Sequence, residues 1–232
     1  MPISGEDSEH SSQPGLPIFS TVLFDLDGTL LDSEQINTCV VERMYKETLQ
    51  RTPDPDDLNR YRTLSTEAIL QEIAPESAEH LLTIWPQYFH EYKHLLSLYP
   101  GIPELLAVLK ELKVKMGVVT LQNRNEVAAT RKLVDFKDWI DTWVAVDEVE
   151  HPKPHPAPVL EALRRLNTEP QEAIIIGDSV TDLMAGKQAG VRTGAALWGC
   201  FQPDALLQQD PDFIFKKPEE VTRLCLKRIK TR

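Results

Sequence analysis

Asp25 and Asp27 stand two residues apart in the run DLDGTLLDS, at the end of the apolar stretch TVLF. A carboxylate nucleophile with a second acid two residues on permits a two-step covalent route. One group takes the transferred moiety and the other moves protons. Three more reactive positions follow. Thr120 ends VKMGVVT, Lys153 sits in HPKPHP, and Asp178 ends IIIGD with Asp182 one helical turn later. Carboxylates that converge repel one another and stay ionised only beside a compensating cation. Hard oxygen ligands without His or Cys select Mg²⁺. A site with Mg²⁺, one Lys and one Thr hydroxyl suits a phosphoryl group. Metal and ammonium neutralise its oxygens, while the hydroxyl and backbone N–H groups orient them.

Each member has an ordinary structural reading by itself. Asp27-Gly28 is a turn signal. An EF-hand loop is a poor fit, because Gly is at the fourth position rather than the sixth and an apolar run replaces the later ligands. Thr120 alone is a strand residue, and Lys153 between prolines is a loop lysine. Ser179 and Asp182 form a capping box. The combination, each member just after a strand, is what favours chemistry. His151 and His155 flank Lys153, but no third metal ligand accompanies them.

The elements that must position these groups are legible in the apolar pattern. Thr21–Asp27 reads as a buried strand and turn. From Glu34 to about Leu98 the spacing is helical, with Ile69, Leu70 and Ile73 as one group and Leu81, Leu82, Trp85 and Phe89 as another. Pro53, Pro55, Pro75 and Pro86 divide it into three to five short helices. Trp85, Tyr88, Phe89 and Tyr92 read as apolar core of that block. After Tyr99-Pro100-Gly101 helices and strands alternate. Helices are predicted over 103–112, 123–134, 156–166, 179–189 and 219–230. Strands are predicted over 114–120, 143–146, 173–178, 191–197 and 213–215. Asn123 and Glu126 make a capping pattern for the second of these helices. Alternation of this kind implies an α/β fold, a doubly wound parallel sheet covered by helices on both faces. Such sheets bind ligands at the carboxyl ends of their strands. The expected organisation is a tail at 1–17, a core at 18–33 and 99–232, and a helical block at 34–98.

Composition sets the outer limits. The chain has 232 residues, a net charge of −11, 41% apolar and 26% charged residues, an ordinary globular mix. An acidic chain gains nothing from counterion release, so nucleic acid is not an expected partner. No apolar run approaches the roughly 20 residues that span a bilayer, and the acidic, Ser-rich first residues lack the features of a signal peptide. A disordered tail, no membrane partner and a cytoplasmic address are the expectations. Cys39, Cys200 and Cys225 form no Cys-x-x-Cys pair and are expected as buried thiols in a reducing compartment.

DLDGTLLDS, the strand ending at Thr120, Lys153-Pro154 and GDSVTDLMAGKQAG resemble the four motifs of the haloacid dehalogenase superfamily. The likeness runs from Val22 to the C-terminus. The chain is most similar to its phosphoglycolate phosphatase and pyrophosphatase-like branch, and more distantly to β-phosphoglucomutase. The resemblance implies a Rossmann-like core with a small helical cap inserted after the first strand. It implies Asp25 as nucleophile, and Asp27 as acid and base. It implies a Mg²⁺ site of Asp25, Asp178 and the Asp27 carbonyl. Asp182 and Ser179 would support that site. Thr120, Lys153 and the backbone N–H near Leu121 would hold the phosphate. The superfamily's dehalogenases lack the second acid, so Asp27 argues for phosphoryl transfer. After Thr120, either Gln122 or Arg124 stands where relatives carry Asn or Ser and then a basic residue. Thr63 is the counterpart of a glycine in the family's cap loop. Arg60 and Arg62 are either contacts for a second anionic group or solvated. The implied activity is hydrolysis of a small phosphorylated metabolite by a monomer or weak homodimer. The alternatives are a phosphomutase and a non-catalytic regulatory protein.

Overall fold

The computed structural model describes residues 18–61 and 64–226. The first strand, β1 (Thr21–Phe24), is buried along its whole length. Its apolar, β-rich residues suit a strand covered on both faces. Side chains alternate across it as the pleat requires. Val22 and Phe24 enter one apolar cluster, and Leu23 enters another.

The chain then leaves the sheet through β2 (Leu31–Asp32), which pairs antiparallel with β3 (Ser97–Leu98). Between these lie α1 (Glu34–Leu49), α2 (Pro55–Tyr61), α3 (Thr66–Ile73) and α4 (Ala78–Glu91). These four helices share an apolar cluster of their own, with Ile36, Met44, Leu70, Leu81 and Trp85 among its buried members. Pro86 was expected to punctuate, yet it lies inside α4. Proline costs a helix one backbone bond. Here Leu81, Trp85, Tyr88 and Phe89 are buried on the same helix and hold it continuous. The β2–β3 ladder escaped the sequence pattern because two residues carry no periodicity.

The rest of the chain builds the core. In order come α5 (Ile102–Glu111), β4 (Lys115–Val119), α6 (Arg124–Leu133), β5 (Thr142–Val144), α7 (Ala157–Leu166), β6 (Ala173–Gly177), α8 (Val180–Ala189), β7 (Arg192–Ala196), α9 (Pro203–Leu207), β8 (Phe213–Phe215) and α10 (Pro218–Cys225). The sheet order is β5-β4-β1-β6-β7-β8, and every pairing in it is parallel. Helices α5 and α10 bury Leu105, Leu109 and Val221 against one face. Helices α7 and α8 bury Val159, Leu163 and Ala185 against the other. This is the doubly wound α/β sheet that the alternation implied. The five-residue α9 was not anticipated, being too short to show a helical period.

The order of the strands reverses at β1, where the chain runs outward through β4 and β5 and then returns to β6. Such a switch point opens a crevice at the carboxyl ends of the strands. The expected tail at 1–17 and residues 227–230 of the helix expected over 219–230 lie outside the described residues. Among the described residues no helix is long and apolar enough to cross a membrane. All three cysteines are free, but only Cys225 is buried. Cys39 and Cys200 are partly exposed, which corrects the expectation of three buried thiols.

Candidate active site

Asp25 is the first residue past β1, Thr120 the first past β4 and Asp178 the first past β6. Parallel pairing of β1 with β4 and β6 therefore delivers all three to one edge. The Asp25 N–H still donates to the Ile176 carbonyl at 2.9 Å, so the sheet ladder fixes its backbone. Lys153 arrives from the loop between β5 and α7. Its Nζ donates to Asp25 Oδ1 and Asp182 Oδ1, each at 2.6 Å, and to the Val119 carbonyl at 2.9 Å. All three ammonium donors are thus used, and the residue is 6% exposed.

Asp182 is fully buried in the first turn of α8. Its Oδ2 accepts from the Ser179 N–H at 3.1 Å and from the Ser179 hydroxyl at 2.5 Å. The capping box and the ion pair therefore use the same carboxylate, one oxygen for each. Asp178 Oδ1 accepts from the Thr29 hydroxyl at 2.8 Å. Gly28, at φ 83°, makes room for that carboxylate, since a Cβ there would stand 2.4 Å from Asp178 Oδ2.

Three carboxylates, Asp25, Asp178 and Asp182, bring oxygens within 4.8 Å of one another. One ammonium does not offset them. Burial, with Asp182 next, pushes the Asp25 carboxyl up to about 7 despite Lys153. Burial and the neighbouring Asp25 and Asp182 raise Asp178 well above the usual carboxylate range. Burial works against the Lys153 ammonium, yet Asp182 and Asp25 raise its pKa above the ordinary value. Excess negative charge on hard oxygen donors is the environment that a divalent cation such as Mg²⁺ satisfies. Asp182 has both oxygens engaged by Lys153 and Ser179. Asp25 and Asp178, rather than Asp182, are the side chains left for an ion.

Asp27 has a different setting. Burial raises its pKa. Gln122 Nε2 donates to Asp27 Oδ2 at 2.9 Å, and Asp27 Oδ1 is buried with no partner. The Gln122 carbonyl accepts from the Thr130 hydroxyl at 3.0 Å, which fixes the amide's orientation. Of the two alternatives after Thr120, Gln122 is therefore the residue in the site. Arg124 is not: its side chain is 68% exposed and pairs with Asp147 at 2.9 Å. It begins α6, where the capping geometry turns it outward beside the Asp147 carboxylate.

These groups line one end of a cavity of about 170 Å³ that runs on into the helical insert. Thr120, Leu121, Ser179 and Gln122 border it, and Trp85 and Phe89 reach it from α4. The last two were expected only as core of the helical block; they are buried there and also form cavity wall. The side chain of Arg60, with Arg62 and Thr63, lies outside the described residues. His151 and His155 are exposed, with ring centroids 4.8 Å apart. Sequence reasoning missed Thr29, which holds Asp178, and the loop past β7. In that loop the Trp198 indole N–H donates to the Thr29 carbonyl at 2.8 Å, and Gly199 packs on Gly28. The rule that ligands gather at strand ends pointed to β7 as much as to β4.

Comparison with known proteins fits this geometry. Residues 22–196 match the sequence model of the haloacid dehalogenase-like hydrolases. The chain belongs to that family. Among curated proteins, a pyrophosphatase PpaX from Bacillus cereus is 33% identical over 208 residues. That alignment covers 87% of this chain and 94% of the relative. A PpaX from Bacillus velezensis is 32% identical over 217 residues, covering 88% and 95%. A solved structure from Lactobacillus plantarum, described as a provisional phosphoglycolate phosphatase, superposes with a TM-score of 0.78 at 29% identity. It covers 89% of this chain and 99% of that one. The resemblance carried by the four motifs is thus the family itself, and the chain is a hydrolase of it.

Proposed function

We propose that this protein is a Mg²⁺-dependent phosphatase that releases phosphate from a small phosphorylated metabolite by way of an aspartyl-phosphate on Asp25. One observation carries the reading. A buried carboxylate with one oxygen held by Lys153 stands two residues from a second carboxyl that has an unpartnered oxygen, at one end of a cavity that reaches the helical insert. The names of the PpaX relatives and of the Lactobacillus structure support a small phosphorylated substrate.

Asp25, Asp178 and the Asp27 carbonyl would hold Mg²⁺, which when bound neutralises phosphate oxygens and screens the carboxylates from one another. Lys153 fixes Asp25 through Oδ1 and leaves Oδ2 to attack phosphorus. The Thr120 hydroxyl oxygen accepts from the Gln122 N–H at 3.0 Å, so its proton is free for a phosphate oxygen. As the new phosphorus–oxygen bond forms, the bond to the leaving group breaks and Asp27 Oδ1 delivers a proton to the departing oxygen. Its burial favours the protonated form needed for that step. Asp27, now ionised, takes a proton from a water that attacks the aspartyl-phosphate and frees Asp25. The helical insert over the cleft would act as a cap that keeps bulk water from the intermediate.

The test is a screen of phosphate esters read as released phosphate, with Mg²⁺ and with chelator. Turnover should need the metal, and Asp25→Asn should abolish it. Substantial Mg²⁺-dependent turnover by that variant would sink the mechanism.

A further inference from the structure

We infer that Trp198 is a positioning residue for the metal site. Its indole N–H clamps the Gly28–Thr29 turn, and the clamped Thr29 hydroxyl holds the Asp178 carboxylate in place for Mg²⁺. This rests on the reading of Asp25 and Asp178 as metal ligands and extends it to a segment from another strand. In the sheet β6 lies between β1 and β7. Asp178 emerges from β6, the Gly28–Thr29 turn follows β1, and Trp198 follows β7. The Trp198 indole N–H donates to the Thr29 carbonyl at 2.8 Å, so one bond links the two segments that flank Asp178. An indole N–H can only donate, and the Thr29 carbonyl is its acceptor. Trp198 is itself fixed from the sheet, because the Leu197 N–H donates to the Phe215 carbonyl of β8 at 2.8 Å. Its ring packs against the apolar cluster that contains Phe24 and Leu105. Gly199 adds a second hold, lying so close to the Gly28 carbonyl that no Cβ fits between them.

The turn that Trp198 holds is also the root of the helical insert. Strand β2 begins at Leu31, two residues past Thr29, and pairs with β3. The Tyr99 N–H donates to the Leu30 carbonyl at 3.0 Å and closes the same junction. Displacement of the insert would therefore pull on Thr29. Thr29 is fully buried, and its hydroxyl donates to Asp178 Oδ1 at 2.8 Å. A β-branched side chain is stiff at χ1, so the direction of this hydroxyl follows the backbone that carries it. Fixing the Thr29 carbonyl thus fixes the donor on Asp178. A ligating carboxylate is presented to its ion by such outer partners, and their loss weakens metal binding about 10- to 100-fold. Trp198 keeps that partner in place at the point where the insert joins the core.

The experiment titrates Mg²⁺ into the full chain by calorimetry, without substrate. It compares the parent with Trp198→Phe, Thr29→Val and the double variant. Phenylalanine keeps an aromatic ring on the apolar cluster and removes the donor. Valine keeps the shape of Thr29 and removes the hydroxyl. Each single change should weaken Mg²⁺ binding about tenfold or more. Because Trp198 acts through Thr29, the double variant should bind Mg²⁺ as Thr29→Val does and no more weakly. Unchanged Mg²⁺ affinity in Trp198→Phe, even with a lowered melting temperature, would overturn this inference and leave the metal site intact. Unchanged affinity in Thr29→Val would do the same, whether or not Trp198→Phe folds. Losses that multiply in the double variant would also overturn it, since Trp198 would then act without Thr29. Failure of the parent chain to bind Mg²⁺ would overturn the metal reading and this inference with it.

Discussion

Gln122 holds Asp27 by a single hydrogen bond, from its Nε2 to Asp27 Oδ2 at 2.9 Å, while the Gln122 carbonyl is itself held by Thr130. The amide is therefore oriented from behind. The free oxygen of Asp27 is the one that would carry the proton to a leaving group. Gln122→Ala should lower kcat more than it raises KM. The loss should be larger for an alkyl phosphate, whose departing oxygen needs that proton, than for p-nitrophenyl phosphate, which departs without it. A drop of about 10- to 100-fold for the alkyl ester is expected. Steady-state kinetics on the two substrates measures it, and equal losses on both would count against the role.

Lys153 is the sole ammonium between the Asp25 and Asp182 carboxylates. Lys153→Met keeps most of the side-chain volume but leaves two buried carboxylates without their partner. Breaking a buried pair from one side costs about 3–5 kcal/mol. Denaturant unfolding at neutral pH should show that loss. Phosphate release should fall below detection, because Asp25 would no longer be held for attack. A folded, equally stable Lys153→Met protein would contradict the assigned charge balance.

Much of this site was legible from residue types and order. Asp25, Thr120 and Asp178 follow strands whose apolar runs were clear, and parallel pairing was implied by the alternation with helices. The links that join different elements were not legible. Gln122 and Arg124 were equivalent in sequence, and only the turn of α6 decides which points inward. Trp85 and Phe89 read as core because a helical stripe does not reveal which part of it borders a cavity. The Trp198–Thr29 bond joins segments 169 residues apart, and no local pattern encodes it.

Gly199 sits where a side chain cannot. A Cβ there would lie 1.9 Å from the Gly28 carbonyl oxygen and 2.7 Å from the Tyr99 hydroxyl. The first clash is with backbone, so it cannot be relieved by a rotamer change. Gly199→Ala should displace either this loop or the Gly28 turn beside Asp178. A loss of about 1–3 kcal/mol in stability is expected from such overpacking. The melting temperature and kcat should both fall, and a change in neither would show that the loop accommodates the methyl group.

Glu126 joins the core to the helical insert, and its titration should be visible in stability. It lies in the first turn of α6, is 8% exposed and accepts from the Thr66 hydroxyl of α3 and from the Asn123 N–H at 2.8 Å. Asn123 Nδ2 in turn donates to Glu67 of α3 at 3.0 Å. Burial pushes the Glu126 carboxyl up to about 7, with Glu67 and Asp27 adding to the effect. Its ordinary value is 4.5. The folded protein therefore keeps a proton that the unfolded chain gives up. Stability from this group is full below the unfolded value, falls as pH rises toward about 7, and is flat beyond. The whole change is on the order of 3 kcal/mol. Glu126→Gln places a neutral amide there, able to accept from the Asn123 N–H and donate to Thr66. The variant should lose the part of the slope due to Glu126 and be more stable than the parent at pH 8. Unfolding free energies of both proteins between pH 5 and 8 give the difference curve, in which the contribution of Asp25, also near 7, cancels. A difference that does not vary with pH would show that Glu126 does not titrate in this interval.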